Sequence, residues 1–244
     1  MLLLADWLGD SPETVLAVHA LRRQNCQAYI VGTFPRIQAA LLQISSFPRE
    51  PQAFGTDTDA ILRMLHAIQG WDCVNVASEV AESVGTLIQN KMKTGVRYYG
   101  DFYYTLSKPV MQLRHKFVRR LRLEDLSLLE SAPREFQGHG YDSPRGLLEE
   151  GVVACGIVSG KVVSIAHTAG HTKNFADIGV ITREDWRNKG LASAAASIVA
   201  EVLQEKGITP VWSAGDDNFP SVRIAQKLGF SKVSQRQYVI LDKR

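Results

Sequence analysis

The stretch from Asp177 to Glu205, DIGVITREDWRNKGLASAAASIVAEVLQE, constrains the fold more than any other part of the chain. Ile178, Val180 and Ile181 give it a β-branched, strand-like beginning. Arg183, Glu184 and Asp185 then interrupt the apolar run, and from Gly190 the apolar positions change period. Leu191, Ala195, Ile198, Val199, Val202 and Leu203 fall on one helical face, with Glu201 and Glu205 elsewhere. The segment reads as a short apolar strand, a charged turn, a basic glycine-bearing loop and then a long helix.

The junction Arg187-Asn188-Lys189-Gly190-Leu191-Ala192 is where chemistry is expected. A helix that starts here leaves its first N–H groups without partners and carries partial positive charge. Gly190 allows close backbone approach, Ala192 adds little bulk, and Arg187 and Lys189 bring cations. Such a combination can cradle a diphosphate. A plain strand-to-helix turn with solvated basic residues reads the same locally.

The pattern Arg or Gln, two residues, Gly, one residue, Gly or Ala resembles motif A of the GNAT superfamily of N-acyltransferases, and Arg187, Gly190 and Ala192 fit it. Asn218-Phe219-Pro220-Ser221 through Lys227-Leu228-Gly229-Phe230 is similar to that superfamily's motif B. The resemblance covers about the last 125 residues. It implies an α/β chain with a mixed sheet: a GNAT domain at 109–244 and a smaller α/β domain at 1–108, for which a degenerate GNAT-like half that walls the acceptor site is one reading.

Composition narrows the class. In 244 residues, 45% are hydrophobic and 22% charged, as in globular proteins. A net charge of +3 gives no case for nucleic acid, and no apolar run approaches the ~18 residues that a membrane span needs. The start, Met1 to Asp6, lacks a basic segment and a long apolar core, so it does not read as a signal peptide. Cys26, Cys73 and Cys155 are well separated and read as buried reduced thiols, which fits a cytoplasmic location.

Along the first half, helices are expected from Ser11 to Gln24, Pro35 to Ile44, Thr58 to Ile68 and Ser78 to Lys91, with strands at Ala28–Val31 and Trp71–Val76. Val96 to Leu106 is rich in aromatics and reads as a strand, or a hairpin bent at Gly100-Asp101, belonging to sheet core or a domain interface. Ser107-Lys108-Pro109 is the expected boundary. The basic run Arg114 to Arg122 reads as a strand with one solvated face. Two short helices, a hairpin across Ser159-Gly160, a strand at Phe175–Thr182, a strand at Pro210–Ala214, a helix at Phe219–Leu228 and closing strands complete the chain.

By the resemblance, the cosubstrate is acetyl-CoA or another acyl-CoA. Backbone groups of Val180, Ile181 and Thr182 would meet its pantetheine arm, and Arg187, Asn188, Lys189, Gly190, Leu191, Ala192 and Ser193 its diphosphate. Asn218 would touch the pantetheine, although Asp216-Asp217-Asn218 also reads as a turn. Transfer to an amine needs a group to take a proton, and Asp177, His139 and His167 are the candidates, with His171 beside them. No metal is expected. Where the family often carries a Tyr that protonates the leaving thiolate, this chain has Ala225. The function expected is acyl transfer, chiefly acetyl, from CoA to the primary amine of a small molecule. Two-domain members such as glycine N-acyltransferases and antibiotic-resistance acetyltransferases look alike in arrangement. The alternative is a non-catalytic acyl-CoA-binding or sensing module. Neither nucleic acid nor membrane is an expected partner; a homodimer is an allowed one.

Overall fold

A computed structural model describes residues 1–242. Its first half runs α1 (Leu2–Leu8), α2 (Val15–Arg22), β1 (Cys26–Thr33), β2 (Arg36–Ile44), β3 (Gln52–Gly55), α3 (Thr58–Ala67), β4 (Cys73–Ala77), α4 (Ala81–Met92) and β5 (Val96–Thr105). The second half runs β6 (Val118–Leu121), α5 (Leu126–Glu130), α6 (Pro144–Glu150), β7 (Val153–Val158), β8 (Lys161–His171), β9 (Phe175–Thr182), α7 (Leu191–Glu205), β10 (Thr209–Gly215), α8 (Phe219–Leu228) and β11 (Ser231–Leu241). Apart from β6, both halves repeat one order: two helices, three strands, helix, strand, helix, strand.

All strands join one sheet in the order β1-β2-β3-β4-β11-β5-β10-β9-β8-β7-β6. With β6 set aside, this order matches each strand with its counterpart in the other half. The last strands of the two halves are exchanged. β5 follows α4 but lies against β10, and β11 follows α8 but lies against β4. They also pair with each other, with Asp101 opposite Arg236. Strand exchange therefore makes the sheet continuous across the two halves. The aromatic strand is a single strand at their junction, with Tyr103, Tyr104 and Leu106 buried, rather than a hairpin.

Local signals explain several elements. Asp57 caps α3 by accepting from the Ala60 N–H at 2.9 Å, and Ser143 caps α6 by accepting from Gly146 at 3.1 Å. α8 begins with Asn218 as cap and Pro220 in its first turn, and ends at Gly229 with φ 97°. α7 presses small residues, Ala195, Ala196 and Ala200, into the core beside Val199 and Leu203, which brings it close to the sheet.

One expected helix is a strand. Pro35 to Ile44 contributes β2, which pairs with β1 and β3 on its two sides. Ala39, Ala40, Leu41 and Leu42 are all fully buried, so both faces are apolar and no strand alternation marks the run. α1 was not expected, and α2 is shorter than its expected span because Thr14 and Ser11 bond in a turn before it. Cys73 and Cys155 are buried and Cys26 partly so; burial pushes the latter's thiol up to about 11. No helix among the described residues is long and apolar enough to cross a membrane.

Candidate active site

Two of the sheet's junctions are parallel, and both come apart. β9 and β10 pair only through Phe175–Thr209, Ala176–Pro210 and Asp177–Val211, after which they diverge. β3 and β4 pair only through Gln52 and Asn75. Each half thus contains a fork, and the two forks are filled differently.

At the first-half fork, Arg236 comes in from the exchanged strand β11. It donates from Nη2 to the Ala53 carbonyl at 2.6 Å and from Nε to Asn75 Oδ1 at 2.5 Å, and lies 4.5 Å from the centre of the Phe54 ring. Asn75 in turn donates to Asp101, which also accepts from Tyr103 at 2.8 Å. A buried guanidinium therefore closes this fork. The helix that follows is capped by Asp57 and carries Asp59 in its first turn, charges that disfavour an anion there.

The second-half fork is open. It leads into a cavity of about 340 Å³ that both halves line: Leu16, His19 and Ala20 of α2, Ile44 at the end of β2 and Phe47 just after it, and His139, His167, Asp177 and Ile178 to Ile181 from the other side. α2 reaches this place because it packs on β8 and β9, with Val15 against Tyr103 and Val211.

Asp177 sits at the base of the fork and is 5% exposed. The Ser213 hydroxyl on β10 reaches both of its oxygens at 3.3 Å. Burial raises the carboxyl from 3.8 to about 7, against the opposing pull of the Ser213 hydroxyl. A carboxylate that titrates there is matched to taking a proton near neutral pH.

His139 and His167 also line the cavity, their rings 6.5 Å apart. His167 Nδ1 donates to the Thr168 carbonyl at 3.0 Å, which leaves Nε2 as the acceptor nitrogen. Burial lowers His167 to about 4, so it is neutral at ordinary pH. His171 lies apart from the lining and bonds through Nδ1 to the Tyr141 hydroxyl at 2.9 Å. His19 bridges two backbone groups, Gly140 O at 2.8 Å and His171 N–H at 3.3 Å, and burial lowers its pKa.

The open edge of β9 offers backbone groups. Arg183 N–H donates to Val163 on the β8 side, so strand alternation turns the groups of Val180 and Thr182 to the other side, toward the fork. Arg187 Nε reaches the Thr182 carbonyl at 3.4 Å. Val180, Ile181 and Asn218 line the cavity, whereas Thr182 and the loop Arg187 to Ser193 lie beyond it. Gly190 takes φ 81° as the residue before α7, and a Cβ there would meet nothing within 4 Å. No side chain caps this helix, and among the described residues the N–H groups of Leu191, Ala192 and Ser193 meet no acceptor outside it. Lys189 turns back onto Asp185 O at 2.8 Å and the Trp186 ring.

Asn218 serves as a helix cap, accepting from Ser221 N at 3.3 Å, while also facing the cavity. Ala225 is fully buried, and no acid stands at that position. One turn earlier, Ser221 faces the cavity and accepts from Trp212 Nε1 at 2.9 Å, which leaves its own O–H free to donate. Ser213, Ser221, His19 and Phe47 were not anticipated from sequence. Only Ser221 had a visible signal, its i−4 spacing from Ala225. No cluster of three or more metal-ligating side chains occurs among the described residues.

Residues 127–241 match the family model described as GNAT acetyltransferase. A Bacillus subtilis (strain 168) protein, "Uncharacterized N-acetyltransferase YdfB", is 36% identical over 62 residues, which are 25% of this chain and 24% of that protein. The match therefore spans about a quarter of that relative's length. A GCN5-related N-acetyltransferase-like protein from Streptococcus suis 89/1591 has the same fold, with TM-score 0.73, 21% identity, and coverage of 98% of this chain and 97% of that one. A tandem GNAT protein from the clavulanic acid biosynthesis pathway aligns at TM-score 0.56 and 11% identity over 99% of this chain and 94% of its own. With motif A on an uncapped helix beside an open fork, and the fold shared along nearly the whole chain, the second half, residues 127–241, matches the GNAT acetyltransferase family over a little under half of the chain.

Proposed function

We propose that the protein is an acyl-CoA-dependent N-acyltransferase that moves an acyl group, chiefly acetyl, from CoA to the primary amine of a small molecule. The observation that carries this reading is Asp177: a carboxyl buried at the base of the open fork, raised to about 7, facing a cavity next to the uncapped start of α7. The diphosphate would rest on the N–H groups of Leu191 to Ser193, beside Arg187, Asn188, Lys189 and Gly190. The pantetheine would lie along Val180, Ile181 and Thr182 like an added strand, with Asn218 alongside. Residues 109–244 would supply this machinery and residues 1–108 would wall the acceptor side.

The amine nitrogen attacks the thioester carbon, and its proton passes to the Asp177 carboxylate. The Val180 N–H holds the oxyanion that develops. When the C–S bond breaks, the Ser221 hydroxyl donates a hydrogen bond to the departing thiolate, in the region that Ala225 leaves without an acid. His167 stays neutral and aligns the acceptor, and His139 stands at the cavity wall. The products are an amide and CoA. Thiol release from acetyl-CoA, followed colorimetrically against a panel of primary amines, tests the reading. Calorimetric binding of acetyl-CoA without amine-dependent thiol release under any pH between 6 and 9 would instead support a non-catalytic acyl-CoA-binding module, the reading that Ala225 favours.

A further inference from the structure

We propose that the acceptor is a compact primary amine on an apolar body of about the size of one aromatic ring, without a carboxylate or phosphate; this rests on the N-acyltransferase reading above. Its size follows from the cavity. About 340 Å³ lies near the lower end for small-molecule sites, and the acyl end of the cosubstrate must share it. Leu16, Ala20, Ile44, Ile178 and Trp212 give apolar walls. Phe47 and His139 meet edge-on with ring centres 5.7 Å apart, forming an aromatic wall at one side.

Charge supplies the selectivity. Among the described residues, no Lys or Arg lines the cavity, and Asp177 is its one carboxylate. Arg23 follows α2 but is engaged by Asp142 at 2.6 Å and Glu150 at 2.5 Å. His19 has both ring nitrogens occupied by backbone groups, and burial lowers its pKa. His167 offers only a lone pair at ordinary pH. An acceptor carboxylate would therefore lie buried without a cation and near Asp177, whereas a single ammonium group has a partner in that carboxylate. Longer polyamines find no second carboxylate. Free amino acids, glycine included, are thus poor acceptors, unlike those implied by the glycine N-acyltransferase likeness.

The test compares two acceptors that differ by one carboxylate, phenethylamine and phenylalanine, with spermidine as a third, in the full chain at saturating acetyl-CoA. Phenethylamine is expected to exceed phenylalanine in kcat/KM by at least about 100-fold and spermidine by at least about 10-fold, differences that a buried unpaired charge readily produces. Phenylalanine or spermidine equal to or better than phenethylamine would overturn the proposal. Calorimetric binding of the same amines to the protein–CoA complex reads the preference independently of turnover. If phenethylamine binds and phenylalanine does not, yet no thiol is released, the acceptor class stands and the transferase reading fails. Phe47, at 43% exposure on the cavity wall, allows a gain-of-function check. Phe47→Arg is expected to narrow the phenethylamine-to-phenylalanine ratio at least about 10-fold by supplying the missing cation. An unchanged ratio in a folded variant would count against the charge argument.

Discussion

Replacing Asp177 by Asn should abolish activity and stabilise the protein at the same time, and the two effects have one cause. Burial holds the Asp177 carboxyl at about 7 instead of 3.8. At about 1.36 kcal/mol per pKa unit, this is on the order of 4 kcal/mol of stability, present below pH 3.8 and lost as pH rises through 7, because the folded state keeps a proton that the unfolded chain releases. The amide of Asn has no charge to bury and can still accept from Ser213. At pH 8 the variant should therefore melt on the order of 10 °C higher than the parent, at about 2–4 °C per kcal/mol for a chain of this size, and the gap should close towards pH 4. Loss of a base lowers kcat by about 10²- to 10⁴-fold. In the parent, kcat/KM should fall about fivefold from pH 7 to pH 6 as the carboxylate is protonated, ignoring the amine's own titration, which is cancelled by comparing at equal free-amine concentration. Differential scanning calorimetry at pH 4 and 8, beside thiol-release kinetics, reads both quantities. A variant that is less stable at pH 8, or that keeps full activity, would refute the assignment of Asp177 as a strained, buried base.

Three further outcomes follow from the same geometry. Ser221→Ala should lower kcat about 10- to 100-fold, the worth of a hydrogen bond to a charged atom, with acetyl-CoA affinity unchanged and Ser221→Thr restoring most of the rate; an unaltered kcat removes Ser221 from the reaction. Gly190→Val puts a β-branched residue at φ 81° and a side chain in the open space before α7. Acetyl-CoA affinity measured by calorimetry should drop at least about tenfold, while the fold loses only about 1–3 kcal/mol of strain energy. The same titration on the parent protein should give one acetyl-CoA per chain, and a stoichiometry of two would show that the first-half fork also binds.

The parts of the candidate site that are legible in the sequence are those whose physics is local. β9, its loop and α7 are contiguous, so the change from strand to helical period, the basic loop and Gly190 are visible together. α8 shows its cap and its stop within one short run. β2 was hidden because its inner run is buried on both faces and its Ala and Leu residues favour helices; the strands at its sides decide its form. The exchange of β5 and β11 depends on pairings across more than a hundred residues, which no local pattern records. His19 and Phe47 reach the cavity by the packing of one half on the other. Asp177 itself was visible, but a lone Asp on a strand reads alike whether its carboxyl is solvated or enclosed.

The exchanged strands also explain how two similar forks in one sheet acquire opposite roles. Because β11 belongs by sequence to the second half but lies against β4, it delivers Arg236 to the first-half fork, where the guanidinium satisfies the Ala53 carbonyl and Asn75 that divergence of β3 and β4 would otherwise strand. Asp101 on β5, directly opposite Arg236, is linked to the guanidinium through Asn75; burial raises its carboxyl, against the pull of Tyr103, Asn75 and Arg236. The second-half fork receives no such plug: its divergence leaves the edge of β9 free and encloses Asp177 with the Ser213 hydroxyl and the backbone of Ser213 and Ile178, and no cation. The helix starts agree with the forks. Asp57 and Asp59 occupy the one beside the closed fork, and Arg187, Lys189 and Gly190 the one beside the open fork. Closure of one fork thus lends rigidity to the junction on which the other depends, since Tyr103, bonded to Asp101, pairs with Ser213, the residue that holds Asp177.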